Sequence, residues 1–446
     1  MQDLTTGPVT RHLLKTSSFM LITMMFQTLY FLVDLYWVGH LGTDAVAAVG
    51  IAGNLTFVVL ALTQMLGVGT TTLVSHAAGQ KNHAYGLLVF NQSQVLSMLS
   101  GVVLLVVGMT LRTRYAASVG ADPNTAALAA DYLLWFIPAM ALQFAMVAMG
   151  AALRGQGQFK PGMIVSTSTV FLNMVLAPFL IFGWVTGHPM GVVGAAVATL
   201  VSIVVGVLWL TTYFLDKDSF LRFTPREWAP NFGLWRKMLG IGLPAGAEFG
   251  LMALYMFVVY SIIKPFGAEA QAGFGIGGRV VQAGFMPVVA LGFSVAPVAG
   301  QNVGAKLGTR VRETYKSAVV LSVSVMALFA LLAHVAPAAM IGVFTADPKV
   351  IDVGTEYLRI VSWNFVASGV LFVNSSMFQA LGNTIPSLMT SCIRMVVVVV
   401  PSIVLARLPS FHMRWIWYLS MVSVLLQLSL SQYLLQRELR MKLGAA

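Results

Sequence analysis

The chain has 446 residues, 58% of them hydrophobic and 9% charged, with a mean hydropathy of +0.84. Soluble domains carry about 25% charged residues, so a water-facing globule of this length is excluded. The net charge of +11 is distributed between long apolar runs, as in the loops of membrane proteins, and gives no reason to expect a nucleic-acid partner.

Apolar stretches predict twelve spanning helices, near 16–38, 46–73, 87–109, 127–151, 162–183, 191–214, 239–263, 276–299, 314–336, 352–379, 386–406 and 414–435. Each can cross about 30 Å of hydrocarbon, and all-helical is the fold that satisfies a backbone in lipid. The first stretch lacks an A-x-A cleavage site and reads as a retained helix. On it Thr23, Gln27, Tyr30 and Asp34 follow at spacings of four, three and four, which stacks them on one face. A carboxylate in the bilayer costs about 2.5–3.5 kcal/mol on insertion scales, so this stripe is expected to face the bundle interior or a water-filled cavity. The competing reading makes Asp34, about one turn from Trp37, an interfacial residue without a role.

The longest polar insert, Asp216 to Lys237, divides the chain in the middle. The expected domains are an N-terminal six-helix lobe (1–215), a cytoplasmic linker (216–238) and a C-terminal six-helix lobe (239–446). With the N-terminus inside, the inner loops and tails hold seventeen Lys and Arg, Lys217 among them, against six outside. Both termini are therefore expected in the cytoplasm.

Beyond the insert, Glu248 is the only other acid well inside a span. It follows Pro244 by four residues, and is read either as a cleft residue or as an acid reaching the inner interface. Gly273, Gly275 and Gly278 spell G-x-G-x-x-G without the strand that a dinucleotide site needs; helix packing is the alternative. Arg279 follows at the position matching Asn54, and either pairs with an anionic group or snorkels outward. Methionines such as Met174 and Met256 suit an adaptable apolar lining or ordinary packing. There is no P-loop, the histidines are scattered singly, and the single cysteine, Cys392, allows no intrachain disulfide. No metal or organic cofactor is expected.

Shifting the chain by 225 positions aligns LGTDAVAAVGIAG (Leu41 to Gly53) with FGAEAQAGFGIGG (Phe266 to Gly278) without a gap. The same register pairs Lys81 with Lys306, Asp122-Pro123 with Asp347-Pro348, Gly157 with Gly382, and Pro161 with Pro386. Six spans per repeat give both halves one orientation, related by a pseudo-twofold along the membrane normal, an arrangement known in secondary transporters.

The stretches VDLYWVGHLGTDAVAAVG (Val33 to Gly50), LRGQGQFKP (Leu153 to Pro161), FQALGNTIP (Phe378 to Pro386), FLNMVLAPFLIFGW (Phe171 to Trp184) and GVVGAAVAT (Gly191 to Thr199) together resemble the multidrug and toxic compound extrusion (MATE) family of the MOP superfamily. The resemblance implies a monomeric twelve-helix exporter in the inner (plasma) membrane of a bacterium, V-shaped around a central cleft. It would expel cationic or amphipathic drugs in exchange for H⁺, with Na⁺ the second choice. It assigns ion coupling to Asp34, Tyr30, Gln27, Asn173 and Thr199, while Glu248, Arg279, Asn54, Met174 and Met256 are candidates for the substrate cleft. Where sodium-coupled members carry a second acid, four residues after the helix-5 asparagine, this chain has Ala177. That substitution turns the expectation from sodium toward protons. Two other readings stand beside it. A lipid-linked oligosaccharide flippase is opposed by the scarcity of cavity cations, Arg279 being the only well-placed one. An integral-membrane enzyme is opposed by the lack of a catalytic cluster at one depth.

Overall fold

A computed structural model describes residues 2–185, 187–216 and 218–444; Lys217 lies outside them. The first six helices are α1 (Val9–Gly39), α2 (Thr43–Gly79), α3 (His83–Val119), α4 (Pro123–Gly155), α5 (Phe159–Phe182) and α6 (Val192–Thr212). The second half contains α7 (Phe232–Ile263), α8 (Ala268–Gly304), α9 (Gly308–Val335), α10 (Pro337–Gly342), α11 (Pro348–Val361), α12 (Phe365–Ala380), α13 (Ile385–Leu405) and α14 (Arg414–Leu443). With α11 and α12 joined through a 3-10 turn into one span, twelve helical segments among the described residues are long and apolar enough to cross a membrane. No strand occurs among the described residues.

The repeat read from the sequence is also present in the backbone. Gly42 and Gly267, which precede α2 and α8, have φ of 106° and 99°. The turns that follow α2 and α8 place Lys81 and Lys306 at φ of 54° and 58°, a left-handed conformation that costs a non-glycine residue roughly 1 kcal/mol. Gly157 and Gly382 follow the same rule at 83° and 71°. Asp122 and Asp347 each cap a helix that has proline in its first turn, accepting from Thr125 N and Lys349 N at 2.9 Å. The carboxylate satisfies one of the free N–H groups, and proline removes another.

Two compact units result, but their boundaries differ from those expected at 215 and 239. The first unit comprises Gln2, Asp3 and Phe19–Leu243, and the second comprises Leu4–Ser18 and the chain from Pro244 onward. The two crossing points, 18/19 and 243/244, are again 225 positions apart. The first helix of each repeat thus begins in one unit and ends in the other.

Burial explains the exchange. Leu4, Val9 and Leu13 are buried in a core with Leu291, Val298 and Phe378. Leu4 N donates to Gln301 Oε1 at 2.9 Å, and Arg310 donates to Gly7 O at 2.9 Å. In the first unit the insert is not a free linker. The fully buried Asn91 and Gln92 of α3 clasp it. Asn91 Oδ1 accepts from Thr224 N and Trp228 Nε1, at 2.8 and 2.9 Å. Gln92 donates to Glu227 O and Ala229 O, and its Oε1 accepts from Asn231 N at 3.0 Å and Trp235 Nε1 at 2.7 Å. Gln92→Leu would strand these groups, at about 1–3 kcal/mol for each one that water cannot reach. The expected result is a lower melting temperature in detergent and faster tryptic cleavage at Arg222 and Arg226. An unchanged melting temperature and cleavage rate would refute the clasp.

Candidate functional site

In the first unit, α1, α5 and α6 bring three of the expected residues together. Thr199 donates to Ala195 O one turn back, at 3.1 Å, so its oxygen is left to accept. Tyr30 Oη lies 3.1 Å from Thr199 Oγ1, and Asn173 Nδ2 donates to the same oxygen at 3.1 Å. Small residues allow this approach. A Cβ on Gly194 would stand 2.7 Å from the backbone of Leu180, so glycine at that position lets α6 lie against α5. Ala177, where sodium-coupled relatives would place an acid, is buried in the apolar core of the same unit.

Asp34 lies one turn beyond Tyr30 on α1, within electrostatic reach of Tyr30 and of Tyr132 on α4. Its Oδ1 is shut off from solvent with no hydrogen-bond partner, and Asn173 Oδ1 is in the same condition. Two buried acceptors therefore lack donors. An ionised carboxylate can only accept, whereas a protonated one also donates. The chemistry available to this cluster is thus the gain and loss of a proton, or the binding of a cation.

The other expected residues are distributed differently. Gln27 is exposed and makes no bond to the cluster, although its spacing puts it on the same helical face. Asn54 and Arg279 are exposed. Met174 is half-buried, and Met256 packs against the core that contains Phe274 and Trp417. Within the glycine motif, a Cβ on Gly273 would meet Val353 Cβ at 2.7 Å and one on Gly275 would meet Tyr260 Oη at 2.7 Å, whereas Gly278 has open space. The first two glycines therefore serve packing. Glu248 belongs to the second unit, where Ser375 Oγ donates to its Oε2 at 3.5 Å and accepts in turn from Ser387 Oγ at 3.0 Å. Its Oε1 is buried without a partner.

One ionisable residue escaped the sequence reading. Arg394 lies in the middle of α13, and no carboxylate pairs with it among the described residues. A single charge is diluted in a hydropathy average over a whole span. The signal that could have found it is the polar row Ser387, Ser391 and Arg394 at helical spacing.

The comparisons with known proteins agree with this architecture. The MatE family profile matches twice, over residues 20–179 and 244–404, one match for each repeat. The chain is 27% identical over 370 residues to the probable multidrug resistance protein YoeA of Bacillus subtilis, covering 82% of this chain and 80% of that protein. It is 27% identical over 386 residues to the multidrug export protein MepA of Staphylococcus aureus, covering 84% and 82%. Among solved structures, a MOP superfamily transporter from Pyrococcus furiosus, described as having a binding pocket of reverse polarity, superposes with a TM-score of 0.88 at 25% identity over 98% of both chains. A multidrug resistance MATE family transporter in an outward-facing conformation reaches 0.90 at 24% identity, also over 98% of both chains. With both repeats matched, the chain belongs to the MatE family and is a membrane transporter, not an enzyme.

Proposed function

We propose that the chain exports cationic or amphipathic drugs from a bacterial cell in exchange for H⁺, with Asp34 as the coupling carboxylate. The protein would work as a monomer in the plasma membrane with both termini in the cytoplasm. The reading rests on one observation, a carboxylate oxygen inside a membrane span that is buried without a donor. An ionised acid there is costly, and protonation removes the cost. Ionised Asp34 would favour a bound organic cation, and proton uptake from outside would release it. Tyr30, Thr199 and Asn173 hold the surrounding dipoles in place. The relatives named for multidrug export and resistance support the substrate class. Ala177 leaves Asp34 without the second acid of a sodium site, which favours H⁺ over Na⁺.

The energetics are sufficient. One proton entering down 100 mV releases about 2.3 kcal/mol, and one pH unit adds about 1.4. The total sustains a gradient of about 500-fold for a substrate without net charge. For a monovalent cation the electrical part cancels, leaving about tenfold per pH unit. The test is ethidium efflux from vesicles with H⁺ and Na⁺ gradients imposed separately. Efflux should follow the H⁺ gradient, and efflux following only Na⁺ would overturn the ion assignment.

A further inference from the structure

Arg394 is the tenth of 21 residues in α13, about 14 Å or more from either end of the helix. Snorkelling to an interface is therefore not open to it. It also does not lie on the exposed side of the helix. Met389, Ile393, Val396 and Val400 mark that side, whereas Arg394 shares the opposite arc with the buried Ser387, Thr390 and Val398. Its guanidinium lies 6.0 Å from the ring centroid of Tyr255 on α7, within cation–π range. Tyr357 of α11 is near both groups, and its ring packs edge-on against Phe274 and Trp417, with centroids 5.3 and 4.8 Å apart. A mid-span arginine that meets the ring of Tyr255 but no carboxylate is a costly arrangement to maintain without a ligand.

The same two helices carry the second unit's buried acid. Glu248 of α7 accepts from Ser375 of α12, which accepts in turn from Ser387 of α13, and Tyr255 of α7 meets Arg394 of α13. Each helix advances seven residues between the two contacts. Seven residues are nearly two turns, so the contacts lie on one seam with their levels about 10 Å apart. One unpaired anion and one unpaired cation therefore stand on a single seam, and no salt bridge joins them. Glu248 Oε1 remains without a donor.

We propose that the α7–α13 seam binds dipolar amphiphiles. Arg394 would take an anionic oxygen group of the ligand, Tyr255 and Tyr357 would face an adjoining ring, and Glu248 would take a cationic amine. This rests on the reading of the chain as a drug exporter and narrows its substrates to include molecules that carry both charges. Guanidinium to carboxylate is a strong charge-assisted contact, and a net-neutral ligand can use the full driving force of proton entry.

The test compares rhodamine B, whose carboxylate is free, with its ethyl ester, which is only cationic. Binding to the purified full chain in phosphatidylcholine nanodiscs is read by fluorescence anisotropy. The wild type should prefer rhodamine B by about tenfold or more. Arg394→Gln should reduce that preference to within about twofold, and Arg394→Lys should keep part of it. A wild type without preference overturns the proposal, even if the Arg394 variants fail to fold. So does an Arg394→Gln variant that retains the preference. Exchanging the lipid for phosphatidylglycerol should leave rhodamine B binding in place; its loss would assign the seam to a lipid headgroup and also refute the proposal. Failure here leaves ethidium efflux and its dependence on Asp34 standing. Conversely, efflux indifferent to Asp34 would leave the dye preference intact.

Discussion

Gly242→Ala is expected to destabilise the first unit by about 3 kcal/mol, near the upper end of the usual cost of overpacking. The Cβ would collide with the carbonyl oxygen of Met65 and stand 2.7 Å from its carbon. A backbone carbonyl cannot rotate away as a side chain can. The contact is reciprocal, since a Cβ on Gly69 would lie 2.5 Å from Met238 O. Two glycines, each one turn from the carbonyl that the other would meet, thus let α2 and the start of α7 pack backbone to backbone, as small residues do in membrane helices. Gly240, on the same helix, has nothing within 4 Å of its Cβ position. Gly240→Ala should therefore melt like the wild type in detergent while Gly242→Ala and Gly69→Ala melt well below it. Equal melting of Gly240→Ala and Gly242→Ala would show that the approach is not needed.

Asp34→Asn is expected to abolish proton-driven export while leaving the fold intact. The amide has the shape of the carboxylate but does not titrate between its two functional states. Coupling is removed together with the charge that favours a bound cation. The steady-state drug gradient should therefore collapse to near unity, from about tenfold per pH unit for a monovalent cation or about 500-fold for a substrate without net charge. Stability should not fall, because the amide carries no charge that must be held away from water. Asp34→Glu keeps a titratable group one methylene farther out and should recover part of the gradient. Normal melting together with lost export separates coupling from misfolding. Export that survives at wild-type levels in Asp34→Asn would remove the acid from the mechanism.

The spans, their number and the two-repeat plan were legible because they depend on run length and a constant register. The dihedrals at Gly42 and Gly267, and at Lys81 and Lys306, carry that register into three dimensions. The exchange of helix starts was not legible. Leu4, Val9 and Leu13 declare a buried stripe, but an apolar stripe does not say which core will take it. The insert looked like a linker because it is polar; its anchors, Asn91 and Gln92, lie more than 130 positions upstream of some of the residues they hold. At the site, helical spacing gave Tyr30 and Asp34 a common face, but joining Tyr30 to Thr199 across 169 positions rested on resemblance. Gln27 shows the limit of spacing, which fixes a residue's side of the helix but not how far along it the neighbours reach. Arg394 was lost to averaging, although one charge in mid-bilayer outweighs several leucines on insertion scales.

The most direct measurement is drug-driven proton movement in proteoliposomes holding the purified chain, with a pH-sensitive dye inside and no sodium present. Adding ethidium to the wild type should shift the internal pH, and Asp34→Asn, whose neutral amide mimics the protonated acid, should give no shift. A full pH response from Asp34→Asn, or none from the wild type until sodium is added, would contradict the account.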